Sequence, residues 1–467
     1  MRTLQGYRYA LDLTPRQERA ILQHAGAARF AFNWSLARVV AVMGQRAAER
    51  SYGIPDAELT PAISWSYPAM RRAWNAAKAT AAPWWPECSK EAYNTGLEAL
   101  ARALKNWSDS RLGKRRDRPM GFPRYKSRHR TAPSVRYTTG PIRIEPDRRH
   151  VVLPRLGRLK LHESARKLAR RLEAGTARIL SAAVRRNGGR WYVSVCVEVE
   201  RAERAPARPR SVVGIDVGIT NLAVLSTGEV VANPRHLQRS LQRLRTLGRG
   251  MSRKSGPAWA AGRPPSNRWR RARGRLAAAH ARVANLRRDG LHKLTSRLAR
   301  THGTIVVEDL NVAGMLSNRR LARHIADAGF APLRRQLTYK TEWNGGRLIV
   351  ADRWYPSSKT CSGCGAVKTK LTLSERTYAC EACGLRLDRD LNAARNLAAL
   401  AAAAVSTAGS GPVSGRGADR KTPNLGQVAV KRQPGTAQAG KTGTVPLQGG
   451  PPSHTFEEVG ETGLIRV

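Results

Sequence analysis

Four cysteines late in the chain, Cys361-Ser-Gly-Cys364 and Cys380-Glu-Ala-Cys383, form two Cys-x-x-Cys pairs separated by fifteen residues. Four thiolates at that spacing suit the closed, tetrahedral shell of a structural Zn²⁺. Gly365 and Gly384 follow the two pairs, and glycine permits the tight turn that brings backbone amides up to the sulfurs. Two disulfides in a secreted protein would use the same residues differently. No signal peptide opens the sequence, and Cys88 and Cys196 are isolated, so a reducing cytosol is expected. The second cysteine pair runs straight into Asp388-Arg-Asp-Leu-Asn-Ala-Ala-Arg-Asn396, an acidic helix start. Two apolar runs, Val212-Val-Gly-Ile-Asp216 and Thr304-Ile-Val-Val-Glu308, read as buried strands that also end in carboxylates. Carboxylates converging from separate elements are what Mg²⁺-dependent phosphodiester hydrolysis requires. Asp216, Glu308 and Asp390 are therefore the candidate catalytic and Mg²⁺-binding acids, with hard oxygen ligands for Mg²⁺ and soft thiolates for Zn²⁺. Asp390 is preferred to Asp388 because it directly precedes Leu391-Asn-Ala-Ala, at the positive end of a helix. Asp309 should point away from Glu308, since neighbouring strand side chains face opposite sides.

Any one of these acids would read more simply as a turn or cap residue. The charge of the chain changes that balance. Its 467 residues hold 83 Lys and Arg against 33 Asp and Glu, a net +50, far beyond what solubility needs and destabilising without an anionic partner. Nucleic acid is the expected partner. A membrane is not, because no apolar run approaches a transmembrane length and the basic residues are spread over hundreds of positions.

The elements that must position these groups can be read in outline. Residues 7–13 alternate as a strand, and Thr14-Pro-Arg-Gln17 supplies a cap, a first-turn proline and a capping-box glutamine. Ile21, Ala25, Ala28, Phe32, Leu36, Val39 and Met43 then mark one apolar helix face. Further helices are expected over about 66–80 and 89–110, with Trp65, Trp74, Trp84, Trp85 and Trp107 mostly packing them. After Gly121 come short strands near 134–138, 142–145 and 149–153, then a hairpin of Ala177–Val184 and Trp191–Val199 around an Asn-Gly turn. A strongly basic helical region occupies about 235–300, and Leu348–Asp352 is a third buried strand.

The order Asp, Glu, Asp resembles RuvC-type nucleases of the RNase H-like fold, whereas DDE transposases place the glutamate last. Gly214-Ile-Asp-Val-Gly-Ile219, Val307-Glu-Asp-Leu310, Ser357-Ser-Lys-Thr-Cys361 with the four cysteines, and the 388–396 run together resemble the TnpB proteins of bacterial insertion sequences, relatives of the type V CRISPR effectors. Asn33-Trp34, Phe122-Pro-Arg-Tyr-Lys126 and Gln336-Leu-Thr-Tyr-Lys340 extend the likeness over residues 1 to about 400. Tyr125, where the family commonly has Phe, and the long tail depart from it.

This resemblance implies a multidomain α+β protein. Residues 1–13 and 121–205 would form an oligonucleotide-binding β-barrel (wedge), interrupted by a helical recognition domain, 14–120. Residues 206–352 and 387–402 would form an RNase H-like (RuvC) α/β nuclease domain, with a zinc ribbon inserted at 353–386 and a disordered tail at 403–467. It further implies a Mg²⁺-dependent, RNA-guided DNA endonuclease, cytoplasmic and nucleoid-associated in a bacterium. Its partners would be a guide RNA from the transposon end and double-stranded DNA carrying a short adjacent motif. Arg268, Arg270, Arg271, Arg273 and Arg275 are candidates for phosphate contact, against the plainer reading of a solvated helix face. Two other functions use the same features: a non-catalytic nucleic-acid-binding transposon regulator, opposed by the intact acids, and a protein-only DNA strand transferase, for which no suitable nucleophile or acid order is present.

Overall fold

In the computed structural model, which describes residues 1–115, 119–129, 131–258, 261–372, 374–406, 418–419 and 428–429, strand β1 (Arg2–Asp12) leads directly into helix α1 (Pro15–Ser51). Their junction is the expected capping box. Gln17 N donates to Thr14 Oγ1 at 3.3 Å, and Thr14 N donates to Gln17 Oε1 at 3.0 Å, satisfying amides that the helix cannot. Ile21 through Val39 bury the predicted face, but Met43 is exposed because the helix outruns the core beneath it. Helices α2 (Tyr67–Ala81) and α3 (Lys90–Arg111) follow, each one residue beyond the expected span. Their tryptophans pack as anticipated: Trp74 stacks on Tyr93 at 4.9 Å between centroids, and Trp65 lies 5.6 Å from Trp107.

Strands β2 (Ser134–Tyr137), β3 (Arg143–Ile144), β4 (His150–Leu153) and β5 (Gly157–Leu161), then helix α4 (Arg166–Glu173), precede β6 (Ala177–Asn187) and β7 (Arg190–Glu200). With β1 these strands form one sheet of order β2-β6-β7-β1-β5-β4-β3, whose end strands do not pair with each other. The sequence pattern shows neither β5 nor α4, since both are short and buried on only a few positions. The β6–β7 hairpin turns on Gly188 and Gly189, both at positive φ, while Asn187 pairs with Arg190. The turn is thus Gly-Gly rather than the expected Asn-Gly. Phe32, Leu97 and Leu100 from the helices meet Val135, Val193 and Val195 from the sheet in a continuous core.

A second sheet has the order β10-β9-β8-β11-β12, made of β8 (Arg208–Asp216), β9 (Asn221–Leu225), β10 (Val230–Ala232), β11 (His302–Val307) and β12 (Arg347–Val350). Strands β8, β11 and β12 are parallel; β9 and β10 run antiparallel to their neighbours. Helices α5 (His236–Ser252) and α6 (Asn267–Thr301) connect β10 to β11, and α7 (Val312–Ser317), α8 (Ala322–Ala328) and α9 (Phe330–Trp343) connect β11 to β12. Parallel strands need both faces covered. Val213, Ile215, Ile305 and Val307 pack with Leu294 and Leu298 of α6 and Leu333 and Leu337 of α9. On the other face Val212, Val306, Ile349 and Ala351 meet Leu397 and Ala401 of the last helix, α10 (Arg389–Ser406). Gly214 lies where that helix comes closest. A Cβ there would stand 2.0 Å from Ala394 O and 2.6 Å from Ala398 N, so only glycine admits the helix.

Between β12 and α10 the chain folds β13 (Thr377–Ala379) against β14 (Arg386–Asp388). Helix α10 continues to Ser406, past the expected start of the tail at 403. Apart from those helical residues and the antiparallel strands β15 (Ala418–Asp419) and β16 (Val428–Ala429), the 403–467 tail lies outside the described residues. No helix among the described residues is long and apolar enough to cross a membrane.

Candidate active site and zinc centre

Side chains alternate across a strand, so Asp216 shares a face with Val212 and Gly214, the face that α10 covers. Strand β11 runs beside β8 with Val306 opposite Gly214 and Val307 opposite Ile215. The next residue, Glu308, therefore emerges beside Asp216 on the same face as Val306. Asp390 comes from the first turn of α10. Burial pushes the Asp216 carboxyl well above the usual carboxylate range, and the negative charges of Glu308 and Asp390 raise it further, with Arg389 opposing. Mutually repelling carboxylates at a half-buried point make a site that a divalent cation would stabilise. These acids are less tightly gathered than the cysteines. Among the described residues, only the four cysteines place three or more ligand atoms within 4.8 Å of one another.

The neighbouring acids have other employment. Asp388 Oδ1 accepts from Asp390 N at 2.9 Å and from Leu391 N at 3.0 Å, which makes Asp388 the cap of α10. Its oxygen is committed to backbone, and Asp390 raises Asp216 more than Asp388 does. Asp309 turns to the opposite face, where Arg334 and Arg353 bind it, Arg353 Nη2 at 2.7 Å. The Arg334 hydrogen bond leads in holding that carboxyl below its ordinary value. Asp352, at the end of the third expected strand, follows the parity of Leu348 instead of Ala351. It accepts from Trp354 N at 2.9 Å.

One contributor to the site escapes a reading of the sequence. Ser357, almost fully buried, donates from Oγ to Glu308 Oε1 at 2.6 Å. Its own loop hangs from α10: Asn396 Nδ2 donates to Ser357 O at 2.8 Å and to Thr360 O at 2.6 Å, and Asn392 Nδ2 donates to Thr360 O at 2.7 Å. Asn392 Oδ1 also accepts from Ser362 N at 2.9 Å. Asn392 and Asn396 are one helical turn apart and so face the same loop. Helix α10 thus carries Asp390 and fixes the serine that orients Glu308. A hydroxyl inside a motif does not announce its partner, which here is 49 residues away. Ser357→Ala should slow cleavage about tenfold, equivalent to one charge-assisted hydrogen bond of about 1.5 kcal/mol. Zinc content should stay intact, and Ser357→Thr should recover most of the rate. An unchanged rate constant for the alanine variant would show that Glu308 needs no such support.

The four cysteines meet as their spacing predicts. Cys361 Sγ lies 3.6 Å from Cys383 Sγ, and Cys364 Sγ 3.6 Å from Cys380 Sγ, separations that fit thiolates sharing one ion at about 2.3 Å each. Gly365 and Gly384 both have positive φ, 79° and 71°. Burial acts against ionising Cys361, but the amides of Cys364 and Gly363 and the neighbouring sulfurs bring its thiol down to about 6. Tyr378, fully buried, packs against Cys361 and Cys380 and donates to Lys359 O at 3.1 Å. The donor set fits zinc.

Arg268, Arg270, Arg271, Arg273 and Arg275 are all exposed on the N-terminal part of α6. Arg270 reaches Asn267 Oδ1 at 3.2 Å, and Arg273 lies over the Trp269 ring at 5.4 Å. The structure places this cluster on a solvent-facing helix surface, not beside the acids' partners named above.

Three family models match the chain. One described as "Probable transposase" (OrfB_IS605) covers residues 194–319, the "Cas12f1-like, TNB domain" covers 330–397, and a "Helix-turn-helix domain" of the same OrfB group covers 1–39. The last span here is a strand and one unbroken helix. A Mycobacterium tuberculosis protein named "Putative RNA-guided DNA endonuclease Rv2885c" is 40% identical over 90% of this chain and 91% of its own length. The Escherichia coli protein "Putative RNA-guided DNA endonuclease InsQ" is 30% identical over 89% of this chain and 96% of its own. A solved Cas12f1-sgRNA-target DNA complex aligns over 85% of this chain and 99% of that one, at 12% identity and a TM-score of 0.46. The chain belongs to the OrfB/TnpB family of insertion-sequence proteins.

Proposed function

We propose that this protein is an RNA-guided DNA endonuclease whose phosphodiester hydrolysis is carried out at Asp216, Glu308 and Asp390. The observation that carries the reading is the arrival of these three acids, from two parallel strands and a helix, on one face of one sheet. On this reading the 3-2-1-4-5 strand order of the second sheet is a RuvC-like nuclease core, 206–352 with 387–402. The segment 353–386 is its zinc ribbon, and residues 1–205 are the wedge and recognition regions. Cys361, Cys364, Cys380 and Cys383 hold a structural Zn²⁺.

The three acids would hold Mg²⁺, which supplies an activated water and neutralises charge developing on the phosphate. The protein's own residues then have separable tasks. Ser357 donates to one oxygen of Glu308, and the other would be the metal ligand. Asp388 secures the start of α10, keeping Asp390 at its positive end. Gly214 lets that helix sit close enough for Asp390 to approach Asp216. None of these groups can read a base sequence. A net charge of +50 suits two polyanions at once, and a guide RNA supplies the sequence by pairing with one DNA strand. The relatives named as RNA-guided endonucleases support that assignment. Arg268, Arg270, Arg271, Arg273 and Arg275 would contact phosphates of the guide or the heteroduplex.

The test is reprogramming. Replacing the guide segment of the bound RNA should move cutting to a DNA that matches the new guide and carries the adjacent motif. Protein stripped of RNA and incubated with Mg²⁺ should leave the same plasmid intact. Sequence-specific cutting by the stripped protein would refute the guided reading and favour a protein-only transferase. Absence of cutting with any guide would favour the non-catalytic regulator.

A further inference from the structure

The turn between β12 and the first cysteine is pinned at nearly every residue. Asp352 accepts from the Trp354 amide at 2.9 Å, and Arg353 Nη2 holds Asp309 at 2.7 Å. The Tyr355 hydroxyl donates to Asn396 O at 3.3 Å, and Ser357 donates to Glu308 at 2.6 Å. The side chain of Trp354 is the exception. Trp354 is 81% exposed, whereas the next most exposed tryptophan among the described residues, Trp84, is 37% exposed. Single exposed apolar residues are ordinary on protein surfaces. This one stands on a rigid mount whose two sides grip consecutive acidic residues, Asp309 through Arg353 and Glu308 through Ser357.

On the guided reading, pairing of the guide with one DNA strand displaces the other, whose bases are left without pairing partners and open to stacking. An indole face accepts any base, and with the Trp354 amide held by Asp352 only the two side-chain torsions remain to be ordered when one stacks on it. We propose that Trp354 is a stacking platform for an unpaired base of the DNA strand held at Asp216, Glu308 and Asp390. This rests on the nuclease reading above. It adds a subsite that grips a base rather than a phosphate and sets how the strand lies across the acids.

The experiment uses the full-length RNA-loaded protein in single-turnover cleavage of a guided target, as wild type, Trp354→Ala and Trp354→Phe. The DNA carries one abasic nucleotide, moved position by position around the cut. Trp354→Ala should slow cleavage at subsaturating DNA by about 5- to 150-fold, the range for losing one base–aromatic stack. Trp354→Phe should restore most of the rate, with guide RNA affinity the same in all three. At one position the abasic site should cost the wild type about as much as the alanine substitution, and cost the alanine variant nothing more. Normal cutting by Trp354→Ala, or abasic losses that add in full to it at every position, would overturn the stacking role while leaving the nuclease reading in place. Loss of guide RNA affinity in Trp354→Ala would assign the indole to RNA and overturn it too. A wild-type complex that cuts no guided target would remove the nuclease reading itself, and this subsite with it.

Discussion

Alanine in place of Asp216, Glu308 or Asp390 should reduce Mg²⁺-dependent cleavage by roughly 10³-fold or more while guide RNA binding is kept. These carboxylates would hold the metal rather than the backbone of the RNA. Asp388→Ala is the matched control. It removes the cap of α10, costing about 1 kcal/mol of stability, and should leave most of the activity. If Asp388→Ala were inactive and Asp390→Ala cut normally, the assignment within the pair would be reversed. Asp216 adds a readout that needs no substrate. Its carboxyl is raised in the fold, chiefly by burial and then by Glu308 and Asp390. A raised carboxyl contributes stability that is fully present below its unfolded value and is lost as pH rises through the folded one. The Tm of metal-free protein should therefore contain a component that falls across that interval and is missing in Asp216→Asn. At neutral pH Asp216→Asn should melt higher than the wild type while being inactive. A lower Tm for Asp216→Asn would mean that the carboxylates do not strain one another.

Removing zinc should be nearly as damaging, and by a traceable route. Cys361 follows Thr360, whose carbonyl is held by both Asn392 and Asn396 of α10, and it precedes Ser362, whose amide is held by Asn392. On the far side Cys383 lies seven residues before Asp390. Small zinc modules lose their fold without the ion. Their loss here would release both the loop bearing Ser357 and the start of the helix bearing Asp390. Cys361→Ser or Cys380→Ser should lose the metal and at least about 100-fold of the activity. Elemental analysis should find one zinc per chain in the wild type and none in the variants. Active wild-type protein without zinc would exclude this coupling. A variant that lost zinc but kept its full rate would show that α10 holds the loop unaided.

Much of this organisation is local and was legible for that reason. The capping box at Thr14, the helices of the first half and the buried strands ending in Asp216 and Glu308 each follow from spacing within a dozen residues. The Cys-x-x-Cys pairs, with glycines to turn them, specify their chemistry by ligand type and count alone. Short elements were lost, as with β5 and α4, because five to eight residues carry too little periodicity to separate them from loop. The hairpin turn shifted by one residue because Asn-Gly and Gly-Gly both satisfy a turn with positive φ, and the ladder register decides between them.

The sequence by itself determined which residues could do chemistry. It supplied three acids at element ends, four thiolates at metal spacing, and a charge that calls for nucleic acid. Only the tertiary structure decided which of the rival acids are committed elsewhere. Asp388 spends its oxygen on the helix cap, and Asp309 is drawn to Arg334 and Arg353 on the opposite face. Strand parity and the glycine gap under α10 bring Asp216, Glu308 and Asp390 to one side. Ser357, its two supporting asparagines and the exposed Trp354 acquire meaning only there. Their partners are tens of residues distant, and such contacts depend on how sheet and helix pack rather than on any spacing along the chain.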